Sequence, residues 1–176
     1  MTVPAPTGAG VALVLHVGAG PHHVGVPVPV AVRITNTGAA PIRMPCVLDG
    51  SETATRLPHY GPAVLYEGAQ VAAPPAAEDP LVGPVRPEDL RLLRPGEWFD
   101  PTARSDGGGL PLSTFSTFRP DRPGAYRFTL RLDTTGGTEA WMGRFGQEPY
   151  REPVLPLIAE VPQVALTAAV DVVVEP

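Results

Sequence analysis

The stretch Ala125-Tyr126-Arg127-Phe128-Thr129-Leu130-Arg131-Leu132-Asp133 alternates apolar and polar residues without a break. Successive side chains of an extended chain point to opposite faces, so Tyr126, Phe128, Leu130 and Leu132 fall on one side and Arg127, Thr129, Arg131 and Asp133 on the other. That pattern describes a strand with one face in a core and one in water. It recurs over 28–36, where Val28, Val30, Val32 and Ile34 oppose Pro29, Ala31, Arg33 and Thr35. It recurs again over 11–17, with Val11, Leu13, Leu15 and Val17 opposite His16, and over 164–174, with Val164, Leu166, Ala168, Val170, Val172 and Val174 opposite Thr167 and Asp171.

Weaker strands are expected over 42–47, 63–66, 97–99 and 110–118. Turn chemistry separates the elements: Asn36-Thr37-Gly38 follows the second strand, Arg94-Pro95-Gly96 precedes Trp98, and Arg122-Pro123-Gly124 precedes Tyr126. With 24 Pro and 19 Gly the chain is rich in helix breakers, which leaves little room for helices beyond one turn over 86–93. The expected fold class is all-β, an antiparallel β-sandwich of seven to eight strands. Its expected core is Val11, Leu13, Val30, Val32, Ile34, Tyr126, Phe128, Leu130, Leu166, Val170 and Val172.

A chain of 176 residues with 43% hydrophobic content suits one domain, here 11–176 after a flexible N-terminus over 1–10. The net charge of -5, with thirteen basic residues that are all Arg and scattered, argues against nucleic acid or an anionic membrane as partner. No window approaches the roughly 18 consecutive apolar residues of a membrane span. Residues 1–10 lack a basic n-region, and the lone Cys46 cannot form an internal disulfide, so a cytoplasmic location is expected.

The order of these motifs resembles bacterial immunoglobulin-like modules and, more loosely, the intracellular proteinase inhibitor family of Bacillus type. The residues concerned are the strand 30–36 ending in Asn-Thr-Gly, Pro41-Ile42, the run Leu93-Arg94-Pro95-Gly96-Glu97, Phe118 with Arg122-Pro123-Gly124-Ala125-Tyr126, and the long closing strand. The resemblance implies an immunoglobulin-like sandwich in which Tyr126 is a corner tyrosine, its ring in the core and its hydroxyl bonded to nearby backbone. Two long loop insertions, 67–87 and 134–162, depart from the inhibitor pattern, and no functional residue is carried over.

Chemistry-bearing constellations are few. His22, His23, Met44, Cys46 and His59 are conceivable metal ligands, but their spacing matches no zinc or copper pattern. Met44 and Cys46 share a face with Ile42 and read as core, while His22-His23 reads as a solvated pair in a turn. Cys46, His59 and Asp49 form the only cysteine-based nucleophile set, without a supporting local signature. The carboxylate pairs Glu78-Asp79 and Glu88-Asp89 read as solvating residues of an insertion, and Gly107-Gly108-Gly109 as a hinge rather than a phosphate loop. No catalytic residue, cofactor or metal is expected.

The segment 134–162 places Trp141, Met142, Phe145 and Tyr150 among glycines. Aromatics on a loop offer a large contact area at small rotamer cost, so these residues are the expected partner-binding anchors of a non-catalytic protein-binding or adaptor module. The alternatives are inhibition of an intracellular serine protease and an accessory domain that holds substrate or carbohydrate for an enzyme complex. An open edge strand would also allow a homodimer.

Overall fold

A computed structural model describes residues 7–8, 10–74, 76, 81–103 and 110–176. Its strands are β1 (Thr7–Gly8), β2 (Val11–Val17), β3 (His22–His23), β4 (Val30–Asn36), β5 (Ile42–Pro45), β6 (His59–Tyr66), β7 (Ala69–Ala72), β8 (Leu90–Leu93), β9 (Trp98–Phe99), β10 (Gly124–Asp133) and β11 (Ala165–Glu175). Two α-helices, α1 (Ser113–Thr117) and α2 (Glu148–Ala159), and two 3-10 turns, Pro87–Asp89 and Thr138–Trp141, complete the described elements. The chain is mostly β, and its sheets are antiparallel except where β3 joins β11 in parallel.

The four strands with the clearest alternation form the frame. A four-stranded sheet runs β1-β2-β4-β9 and a five-stranded sheet runs β3-β11-β10-β6-β7. Their inner faces share one hydrophobic cluster: Leu13, Val32, Ile34 and Phe99 from the first meet Tyr60, Phe128, Leu130 and Leu166 from the second. Every residue of the expected core belongs to this cluster, with Val30 and Val170 only partly buried against it. The Tyr126 ring is buried, and its hydroxyl donates to the Arg122 carbonyl at 2.9 Å, as a corner tyrosine does. Gly124 belongs to this corner: its φ of +135° suits glycine, and a Cβ there would stand 2.9 Å from Tyr66 Cε2.

Turns close the frame by satisfying buried polar groups. Asn36 is fully buried, yet its amide donates to the carbonyls of Ala40 (2.8 Å) and Leu93 (3.0 Å) while its Oδ1 accepts from the Gly38 amide (2.9 Å). Its backbone bonds Glu97 and Gly96, on the far side of the turn in which Gly96 takes φ +80°. β5 and β8 pair as a separate ribbon from Ile42 opposite Leu93 to Pro45 opposite Leu90. Met44 and Leu93 point into the cluster between the sheets, whereas Cys46 and Leu90 enter a second cluster.

Several expectations are corrected. The strand over 110–118 is α1 within its described residues, held by Glu52, whose carboxylate accepts the Ser113 amide and hydroxyl (2.9 and 2.7 Å) and the Thr114 amide and hydroxyl (3.2 and 3.1 Å). The helical turn over 86–93 is only Pro87–Asp89, because Leu90–Leu93 has β5 as a strand partner. The insertion 67–87 opens with the β6–β7 hairpin, whose turn Glu67-Gly68 takes φ of 50° and 81°. His22-His23 is a strand, not a turn, and His23 Nδ1 lies 3.1 Å from the Pro176 carbonyl oxygen. Most consequentially, 134–162 is not a loop, since it carries the twelve-residue α2 and a 3-10 turn.

Candidate functional site

The segment 134–162 leaves β10 at Asp133 and Thr134 and returns at Val164 to enter β11. Thr134 is buried and ties the two ends together: its amide donates to the Val164 carbonyl (2.9 Å) and its hydroxyl accepts the Val164 amide (2.9 Å). Between them the chain builds the second cluster. Trp141, Met142, Val154, Ile158 and Val161 pack with Cys46, Leu48, Leu57, Val85 and Leu90. Tyr150, Val154, Leu157 and Ile158 recur at helical spacing, so α2 turns one apolar stripe inward. Pro149, Pro153 and Pro156 recur on the outer side and are all exposed, where water can satisfy the carbonyls that proline leaves without an amide.

Buried polar contacts then pin this segment to 81–86. Gln147 is buried, and its Oε1 accepts the amides of Val85 and Gly143 at 2.9 Å each, while its Nε2 donates to the Val85 carbonyl at 3.1 Å. The amides of Arg144 and Phe145 both reach the Val82 carbonyl, at 3.1 and 3.4 Å. Gly143 runs so close to Gly83 that a Cβ would fall on the Gly83 carbonyl, 2.7 Å from its carbon and 2.9 Å from Pro84 Cα. Arg56, 4% exposed, holds the other side by donating to the carbonyls of Asp49 (2.9 Å) and Gly83, while Asp49 Oδ2 accepts the Gly83 amide (3.1 Å). Burial lowers the Arg56 pKa, against the raising pull of Asp49 and Asp89.

The four expected anchors therefore divide. Trp141 is fully buried and Met142 nearly so, which makes both core residues rather than presented ones. The Trp141 Nε1 has no hydrogen-bond partner among the described residues. Tyr150 is half-buried against the second cluster, with the Arg86 guanidinium 5.3 Å from its ring centroid. Phe145 alone stands out, 74% exposed, on backbone that both Val82 and Gln147 restrain. Leu81, 62% exposed, adjoins the Val82 that receives the Phe145 amide, and Leu155 is a further exposed apolar residue on α2. Neither Leu81 nor Leu155 carries an aromatic or turn signal by which its exposure could be read from sequence.

Met44 and Cys46 are buried, as expected of core residues, though they enter different clusters. Asp89 is buried rather than solvating: its Oδ2 accepts the Arg86 amide at 2.8 Å, and desolvation raises its pKa. Glu78-Asp79 and Gly107-Gly108-Gly109 lie outside the described residues. Among the described residues no group of three or more His, Cys, Asp or Glu side chains could hold a metal ion, and no helix is long and apolar enough to cross a membrane.

No protein family, no curated protein and no solved structure matches the chain. A functional reading rests on the geometry.

Proposed function

We infer that the chain is a non-catalytic protein-binding module, an immunoglobulin-like sandwich that offers the surface of 134–162 to a partner protein. The corner tyrosine and the two sheets around one core support the sandwich. The observation that carries the binding reading is the exposure of Phe145 on a restrained backbone. An exposed phenylalanine forfeits on the order of 1.5–3 kcal/mol of burial, and covering it in a complex recovers that energy. Because the Arg144 and Phe145 amides and the Gln147 side chain already fix this turn, a partner would spend little entropy in ordering it. The contact surface is thereby sharpened from four aromatic or sulfur residues to Phe145, with Leu81 on the adjoining backbone.

Phe145→Ala tests this reading. The expected outcome is loss of partners retained by the wild-type chain in affinity capture from its native cell, with the unfolding midpoint unchanged. Identical retention by wild type and variant would contradict the assignment of the surface.

A further inference from the structure

The outer face of the four-stranded sheet carries an arrangement that the protein-binding reading does not use. Because Leu13, Leu15, Val32, Ile34 and Phe99 face inward, their alternates Val14, His16, Arg33, Thr35 and Trp98 line the outside. Register places Val14 opposite Arg33 and Thr35 opposite Trp98. Trp98 is 51% exposed, and the Arg33 guanidinium carbon stands 4.2 Å from its ring centroid. Stacking holds the guanidinium by its face and leaves the in-plane N–H donors at its edge open, the geometry that accepts a carboxylate through two parallel bonds.

Among the described residues six arginines pair with carboxylates, Arg43, Arg94, Arg122, Arg127, Arg131 and Arg151, whereas Arg33, like Arg86, Arg91, Arg119 and Arg144, does not. The carboxylate that continues its register, Asp100, is committed through Oδ1 to the Thr102 amide (2.7 Å), the Thr102 hydroxyl (2.6 Å) and the Val32 amide (3.3 Å). Arg33 is thus a cation oriented by stacking, with unused donors on the outer face of the sheet.

We propose that this face binds an extended peptide segment through one carboxylate, which the Arg33 edge holds while the chain lies across Val14 and Thr35. A single guanidinium matches one carboxylate charge. The chain's net charge of -5 and the neighbouring Asp100 and Glu97 oppose a polyanion such as nucleic acid or polyphosphate.

The two tryptophans supply the readout, since Trp141 is buried and reports on the fold while Trp98 reports on the face. The full ¹⁵N-labelled chain is titrated with a blocked tetrapeptide of three glycines and one glutamate, the same peptide with glutamine in place of glutamate, and polyphosphate while the two indole N–H resonances are followed. The glutamate peptide should shift the Trp98 resonance saturably and leave Trp141 in place, and added salt should weaken the effect. Arg33→Gln should abolish the shift with Trp141 unmoved, and Arg33→Lys should retain a weaker one because it keeps the charge and loses the planar fork. An equal response to the glutamine peptide, an undiminished response in Arg33→Gln, no response at millimolar glutamate peptide, or tighter binding of polyphosphate would each overturn the proposal.

Discussion

The cluster between the two sheets and the cluster around Trp141 solve the same problem with different parts. The first is assembled from strands whose ladders place every second side chain inward, so one local rule supplies Tyr126, Phe128, Leu130 and Leu132 together. The second draws on the irregular segment 46–48, the segment 81–86, a 3-10 turn and a helix that carries two prolines inside it, and its coherence depends on side chains such as Gln147 and Arg56 that bridge distant backbone. Regular hydrogen bonding makes the first core tolerant of sequence detail. The second depends on a few contacts without substitutes.

The β5–β8 ribbon contributes to both clusters, which couples them. Trp141→Ala should therefore cost about 3–5 kcal/mol, as Phe128→Ala should in the other core, and each variant should unfold in one transition. Denaturant melts followed by tryptophan fluorescence and far-ultraviolet circular dichroism check this. Two separated transitions would show that the clusters fold independently, and a neutral Trp141→Ala would show that the residue is not core. Phe145→Ala, four residues along, should leave the same melts unmoved.

Gly143→Ala has the next largest expected effect. Its methyl would meet backbone at Gly83 and Pro84, which cannot rotate aside, so about 1–3 kcal/mol should be lost. Gly137→Ala in the same segment meets no neighbouring atom and should cost much less. The pair separates backbone contact from helix-terminal flexibility, and equal losses would remove the contact as the cause.

How much of each cluster is legible in the sequence follows from the range of the forces that build it. Strands β2, β4, β10 and β11 and the Tyr126 corner are written in residues two to four apart. Helix α2 is written in the same way, through Tyr150, Val154, Leu157 and Ile158, but Pro149, Pro153 and Pro156 mask it until their shared exposed face is seen. Helix α1 is illegible locally because Glu52, which holds its first turn, lies 61 residues from Ser113. The run Leu90-Arg91-Leu92-Leu93 becomes a strand only through β5. Among the candidate anchors, the apolar character of Trp141, Met142, Phe145 and Tyr150 was plain, but which ones are covered is decided by 81–86 and 46–57, which no local pattern connects to them.

Two buried carboxylates give the smallest and most selective comparison. Asp89, beside the second cluster, has its pKa raised by burial, against the opposing hydrogen bond from the Arg86 amide. It binds its proton more tightly folded than unfolded, so its contribution is fully present below the ordinary carboxylate pKa and is lost as pH rises through the raised folded value. Asp133, where β10 ends, behaves oppositely: burial raises its pKa, but bonds from the Thr135 hydroxyl and amide and the Arg131 guanidinium together lower it by more, for a net depression. Its contribution is present above the ordinary carboxylate pKa and lost as pH falls through the depressed folded value. In urea melts across roughly pH 2–6, which brackets the ordinary carboxylate pKa, Asp89→Asn should gain stability relative to wild type as pH rises. Asp133→Asn should gain relative to wild type as pH falls, and parallel curves for either variant would contradict the corresponding assignment.

Amide hydrogen exchange tests most directly whether 134–162 is a packed second core that presents Phe145 rather than a loose connection. The amides of Gly143, Arg144 and Phe145, bonded to Gln147 and Val82, and that of Val85, bonded to Gln147, should all be protected far above the exchange of an open chain. The Phe145 amide should be protected even though its ring is exposed. Exchange of these four amides at the rate of an unstructured peptide, while the β10 amides remain protected, would contradict the account.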